Sequence, residues 1–166
     1  MAELLVFCHF NAPQAQDVLA LLSHARNLAK QADLTLGCVY MGSTLAAEAI
    51  TELSSYGCEK LYFLKTDAAI YTSGAAAKAC ADVIKNLSAE IILFSATNED
   101  RVFAAQLAAH LETGLTADCS ELSIENGLLL QTRPAFGGNL FASILCPNHR
   151  PQMATVHPYI FPMGEK

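Results

Sequence analysis

Arg133, Phe136, Gly137, Gly138 and Asn139 lie together in the octapeptide TRPAFGGN (132–139), and Arg150, Gln152 and Met153 follow in CPNHRP and QMAT (146–155). A guanidinium beside glycines suits a place where a planar or anionic group, or a partner's carboxylates, meets bare backbone. A turn alone would account for Gly137 and Gly138, which supply positive φ, and for Pro134, which stiffens the approach. A turn does not account for placing Arg133 and Arg150, two of only 10 basic residues, in this segment of a chain with net charge −6. The chain closes a hairpin more simply just upstream, with Asn126-Gly127. The segment 132–155 is therefore the candidate binding surface.

Other chemistries find little support. If the fold is an open α/β sheet, ligands sit beyond the carboxyl ends of the strands, in HFNAPQ (9–14), YMGST (40–44), KTDAAIYTSG (65–74) and SATNEDR (95–101). None of these loops carries a dinucleotide fingerprint or a phosphate loop. Asn98 could cap a helix whose N-terminus would welcome phosphate, but Glu99 and Asp100 already satisfy that positive end. Tyr71 and Ser73 could touch a ligand, although a helix-capping serine is the commoner role. There is no G-x-S-x-G elbow, and Cys8, Cys38, Cys58 and Cys80 fall inside strands, helices or an ordinary turn. Cys8 and His9 are strand neighbours that point to opposite faces, and Cys146 with His149 offers half of a zinc spacing. No catalytic residue and no metal site is expected. The six dispersed cysteines read as reduced, mostly buried thiols.

The elements that must position these residues are visible as alternation. Near-continuous apolar runs at 3–9, 34–40, 60–64 and 90–96 alternate with helical periodicity at about 14–32, 44–56, 73–87 and 99–111. That is the signature of a parallel sheet covered on both faces. Pro13 is expected near the start of the first helix, and Gly57 and Gly114 as left-handed stops after the second and fourth. After residue 116 the pattern changes to short strands and turns, DCSELSI, LLLQTRP, LFASILC and QMATV, which read as an antiparallel extension. The expectation is one domain over 1–166: a three-layer αβα core at 1–115 with a mostly parallel sheet, and antiparallel strands at 116–160.

Composition sets further bounds. Charged residues make up 16% of the 166-residue chain, against about a quarter in an average soluble domain, so some surface is expected to be covered by a partner. The acidic balance argues against nucleic acid. The apolar runs are strand-length and give no membrane span. Met1 leads directly into strand-like sequence with no secretory signal, so a cytoplasmic location is expected, or the mitochondrial matrix if the source is eukaryotic.

The stretch GLTADCSELSIENGLLLQTRPAFGGNLFASILCPNHRPQMATV (114–156) closely resembles the end of the N-terminal domain of the electron-transfer flavoprotein alpha subunit. GLTADC, TRPAFGGN and PQMATV stand in that family's order and spacing, and SATNEDRVFAAQLAAHLETG (95–114) agrees more loosely. Where the family commonly has a Gly-Arg pair before the fourth helix, this chain has Glu99-Asp100-Arg101. The resemblance implies a fold like that of the adenine-nucleotide hydrolase and universal-stress superfamily. It implies a heterodimer with a beta subunit, on which AMP or a second FAD is expected. It also implies FAD in the full complex, held by a C-terminal FAD-binding domain of the alpha subunit that would begin where this sequence stops. This chain, a fragment or one piece of a split subunit, is then not expected to hold FAD tightly alone. Dehydrogenases would be reached indirectly, as electron donors. Within that picture Arg133, Phe136, Gly137, Gly138 and Asn139 face the beta subunit and its flavin region, and Arg150, Gln152 and Met153 belong to the interface. A reading from another class is a free-standing adenine-nucleotide-binding module that grips its ligand with loops 9–14 and 95–101.

Overall fold

The four apolar runs become four strands: β1 (Glu3–Cys8), β2 (Thr35–Gly42), β3 (Lys60–Lys65) and β4 (Ala89–Ser95). Helices α1 (Gln16–Ala32), α2 (Ala47–Ser55), α3 (Gly74–Ile84) and α4 (Asn98–Leu111) follow them in turn. They are joined by β5 (Leu115–Cys119), β6 (Glu121–Glu125), β7 (Leu128–Ala135), β8 (Leu140–Ile144) and β9 (Gln152–Val156). The computed structural model describes residues 1–67 and 69–166; in the loop 65–74, Ala68 lies outside the described residues.

β1 and β2 are buried along their whole length, which is why they read as continuous rather than alternating apolar sequence. Leu4, Val6 and Cys8 pack with Leu36, Cys38 and Tyr40 under α1 and the end of α2. Leu5, Phe7, Val39 and Met41 face the other way, against Ala77, Phe103 and Leu107 of α3 and α4. Phe7 stacks on Phe94 with ring centroids 4.4 Å apart, and Phe103 closes on Phe7 at 5.7 Å. Each such buried ring stabilises the fold by roughly 1.5–3 kcal/mol. The result is the three-layer αβα arrangement expected from the alternation.

The tail departs from expectation. The main sheet has six strands in the order β3-β2-β1-β4-β9-β5, and every pairing within it is parallel. QMATV is thus not an antiparallel strand. As β9 it slots between β4 and β5, with all five residues buried, and LTADC, as β5, becomes the edge beside it. Only β6, β7 and β8 are antiparallel, and they form a separate sheet that carries the chain from β5 back to β9. A central parallel strand is enclosed on both faces, and the run Met153, Ala154, Thr155, Val156 meets that requirement.

Helix ends show smaller corrections. α1 starts at Gln16, so Pro13 lies in the turn before it. Thr97, not Asn98, caps α4, its Oγ1 accepting from the Asp100 N–H at 3.1 Å. Ser73 caps α3 in the same way through Ala76 N–H. Gly57 takes φ 101° after α2, but after α4 the left-handed residue is Glu112 (φ 54°), two positions before Gly114.

Candidate functional site

The tip of the β7–β8 hairpin is built by backbone conformation. Arg133 pairs with Ala142, Pro134 with Phe141 and Ala135 with Leu140, and a single 3₁₀ turn at Phe136–Gly138 joins the strands. Phe136, Gly137 and Gly138 have φ of 48°, 73° and 89°, three consecutive residues in the left-handed region. A Cβ at Gly137 or Gly138 would meet nothing within 4 Å, so these glycines serve the turn and not close packing within the chain. The conformation throws apolar side chains outward: Phe136 is 84% exposed, Phe141 65% and Leu140 59%. Asn139 is exposed beside them and Arg133 is half-buried at the base of the tip. Among the described residues Arg133 has no carboxylate at ion-pair distance.

The other residues expected at an interface do not share this surface. Arg150 is exposed, but its Nε donates to Glu90 Oε2 at 2.6 Å and its Nη1 to the carbonyl oxygens of Cys146, Pro147 and His149. It staples the connection into β9. Gln152 and Met153 are enclosed by this chain's own core, and that corrects the expectation that they line an interface. Gln152 Oε1 accepts from the Leu129 N–H at 2.9 Å, which ties the main sheet to the small one. Met153 packs among Phe94, Phe103 and Leu107. Cys146 Sγ lies 3.8 Å from the His149 carbonyl oxygen, inside the turn that carries Arg150.

A second locus lies at the carboxyl ends of β1 and β4, where the strand order reverses and open α/β sheets place ligands. There His9 Nε2 meets Asp17 Oδ2 at 2.7 Å, and its Nδ1 is bonded to Asp100 Oδ2. Tyr71 donates its hydroxyl to Asp100 Oδ1 at 2.6 Å, Thr97 to Asp100 Oδ2 at 2.8 Å, and Ser95 to Asp17 Oδ2. An imidazole with carboxylates on both nitrogens donates from both, so His9 is an imidazolium. Burial alone would lower its pKa, but the hydrogen bonds and charges of Asp100 and Asp17 outweigh it and raise the value to about 10. Burial alone would raise the Asp17 pKa, yet the bonds from His9 and Ser95 leave it lowered. Burial, then the Asp100 charge, push Tyr71 up, so its phenol stays neutral.

The adjoining crevice, about 520 Å³, is lined by His9, Phe10, Tyr71, Thr72, Thr97, Glu99 and Asp100. Two carboxylates answer one imidazolium, and exposed Glu99 adds a third negative charge at the mouth. The N-terminus of α4 is already capped by Thr97 and carries Glu99 and Asp100 in its first turn, an arrangement that disfavours phosphate there. Both His9 nitrogens are committed, so His9 is not available as a general base. His9 lies just past the end of β1, and its place in this cluster is not visible from the alternation of Cys8 and His9 along the strand. The available signal was an acidic residue in the first turn of each of two helices, Asp17 and Asp100, following adjacent strands.

A sequence model of the family described as "Electron transfer flavoprotein domain" matches residues 14–166. The chain is 44% identical over 142 residues to the "Electron transfer flavoprotein subunit alpha" of Thermoanaerobacterium thermosaccharolyticum, covering 84% of this chain and 43% of that protein. It is 40% identical over 160 residues to "Protein FixB" of Clostridium saccharobutylicum, with 94% and 47% covered. It is 35% identical over 170 residues to the "Acryloyl-CoA reductase electron transfer subunit beta" of Anaerotignum propionicum, with 87% and 46% covered. The chain thus spans about half the length of the curated relatives it matches.

Proposed function

The chain belongs to the electron transfer flavoprotein domain family, and on that premise we propose that it is the N-terminal scaffold of an alpha-type subunit, docking a beta-type subunit through the β7–β8 hairpin tip. The observation that carries this reading is the tip itself, with Phe136, Leu140 and Phe141 held outward by three left-handed residues. Exposed apolar groups at one hairpin tip suit a partner surface, and burying each of them would contribute roughly 1.5–3 kcal/mol. Arg133 is free to meet a carboxylate or the edge of a flavin, with Gly137, Gly138 and Asn139 offering open backbone beside it.

In this reading the chain makes and breaks no bonds. FAD is held in the full complex by the C-terminal domain of the alpha subunit, AMP or a second FAD resides on the beta subunit, and dehydrogenases deliver electrons to the assembly. The naming of relatives as a subunit alpha of an electron transfer flavoprotein and as an electron transfer subunit beta of an acryloyl-CoA reductase supports a heteromeric setting. Co-expression with a beta-type subunit and the FAD-binding domain provides the test. Arg133→Ala and Phe136→Ala are expected to weaken co-purification and to slow flavin reduction; unchanged behaviour in both would remove the loop from the interface.

The runner-up, a free-standing adenine-nucleotide module, draws support from the crevice at the carboxyl ends of β1 and β4. The carboxylates of Asp17, Glu99 and Asp100 weigh against it, because a nucleotide's phosphates would enter a negative field. Calorimetric titration with AMP separates the two, and the scaffold reading predicts no heat at millimolar ligand.

A further inference from the structure

β3 ends the main sheet on one side: it pairs with β2, and among the described residues nothing pairs with its other side. An open strand edge offers unpaired N–H and C=O groups to another chain, and proteins commonly guard such an edge with lysines. Here the guard is drawn back. Lys60 Nζ is bonded to Glu3 Oε1, and the Tyr62 hydroxyl lies 2.9 and 2.8 Å from the two Glu3 carboxylate oxygens. Glu3 is on β1, two strands inward, and Gly37 of β2, which pairs with Lys60, has no side chain in the way. On the other face of β3, Phe63 also leans inward, its ring 5.4 Å from that of Tyr40 on β2.

Two charges are left at the edge. Glu59, exposed and one residue before β3, uses one carboxylate oxygen to accept from the Leu36 N–H at 3.2 Å, and Lys65 is exposed at the end of β3. Neither has an ion-pair partner among the described residues. Tyr62 stands midway between them, and alternation places both on the same face as Leu61 and Phe63. In a parallel ladder alternate residues of β3 bond to β2, so the free groups belong to every second residue. An antiparallel copy of β3 can therefore bond only in registers that set odd positions against odd and even against even. A two-fold axis through Tyr62 meets that condition and sets Glu59 opposite Lys65 of the second copy, twice over, with Leu61 opposite Phe63. Moving the axis by half a residue sets Lys60 against Lys65 and breaks the alternation. Moving it to Phe63 sets Glu59 against Asp67, and moving it to Leu61 leaves Lys65 opposite Gly57. Beside the edge, Ile70 and Val83, 50% and 40% exposed, rim a groove of about 270 Å³ that includes Leu64.

We propose that β3 is a dimerisation edge, at which a second copy of this chain adds antiparallel through its own β3 and joins the two six-stranded sheets into one. Main-chain hydrogen bonds and the Leu61–Phe63 pairs supply attraction, and the two Glu59–Lys65 pairs fix the register. The β6–β8 sheet is tied to β9, toward the opposite end of the strand order. Both hairpin tips stay open in such a dimer, so the inference stands or falls independently of the docking reading.

Sedimentation equilibrium on the whole chain is the test. The mass should rise with concentration toward twice the 17.8 kDa of one chain. Over the same series, hydrogen exchange should slow at the β3 amides that do not bond to β2 and stay constant in β1. Lys65→Glu sets two like-charged pairs across the axis and should weaken self-association at least about tenfold, and Glu59→Lys should do the same. Combining the two substitutions re-forms both opposite-charge pairs and should bring the affinity back to within about threefold of the parent. Circular dichroism and melting temperature show which variants are folded; if Glu59→Lys is not, because the Leu36 N–H loses its acceptor, Lys65→Glu decides alone. A 17.8 kDa species at every concentration overturns the proposal, and so does a dimer indifferent to Lys65→Glu. A chain that stays single, but whose binding to a co-expressed beta-type subunit is weakened by Lys65→Glu, also overturns it, because the edge then belongs to that subunit.

Discussion

His9 is a cation clamped between two anions, and its contribution to stability has a definite sign. Its folded pKa, about 10, lies above the ordinary 6.5, so the stabilisation is fully present below pH 6.5 and is lost as pH rises through 10. Asp17 is lowered, so its share is present above its ordinary 3.8 and disappears as pH falls through the folded value. Urea unfolding should therefore lose stability between pH 6.5 and 10 more steeply in the native sequence than in His9→Gln; parallel profiles would show that His9 is not held as an imidazolium. At neutral pH, His9→Ala leaves Asp17 and Asp100 facing each other unneutralised. Breaking a buried ion pair on one side costs about 3–5 kcal/mol, and the upper part of that range is not expected here because His9 keeps some solvent contact. Asp17→Asn in the His9→Ala background should recover part of the loss, and additive costs in a double-mutant cycle would contradict direct coupling. His9, Asp17 and Asp100 were each legible as residue types in the sequence. Their meeting was not, because it joins positions 91 residues apart across the reversal of strand order.

The link between the two sheets is argued at the scale of elements. Gln152 sits in β9, and its side-chain oxygen satisfies the Leu129 N–H of β7 in a buried setting. Gln152→Leu removes the acceptor and strands that donor, at a cost of roughly 1–3 kcal/mol. Hydrogen exchange at the Leu129 amide should quicken more than at amides within β1; equal protection in the variant would mean that the small sheet docks by apolar contact alone. The parallel core was readable because two-sided burial leaves unbroken apolar runs, as in ELLVFC and IILFS. β9 was not, since a five-residue segment such as QMATV carries no mark of strand direction. Its direction follows from the path of the chain, which the β6–β8 sheet carries back so that β9 enters between β4 and β5 parallel to both. The end of α4 differs from the expected stop for a local reason: Gly114 is the better left-handed residue by type, but Glu112 stands at the position where the chain must turn.

For the molecule as a whole, the shortage of charge seen in composition has a place on the surface. The tip of the β7–β8 hairpin exposes Phe136, Leu140 and Phe141 together, and the sequence picked out Phe136 but not its two neighbours across the turn. They escaped because LFASI reads as an ordinary half-buried strand, and only the open position of the hairpin leaves Leu140 and Phe141 uncovered. Side chains this exposed contribute little to folding, so Phe136→Ser with Phe141→Ser should change unfolding free energy by no more than about 0.5 kcal/mol. Docking should respond very differently, because losing roughly 1.5–3 kcal/mol per ring on burial weakens an interface by about tenfold or more for each. Affinity for a co-expressed beta-type subunit, measured by calorimetry or by retention on an affinity column, should fall at least about a hundredfold in the double variant, while melting temperature stays close to that of the parent. Affinity equal to that of the parent in a folded double variant would move the interface elsewhere, and a large drop in melting temperature would mean that the tip packs within its own chain.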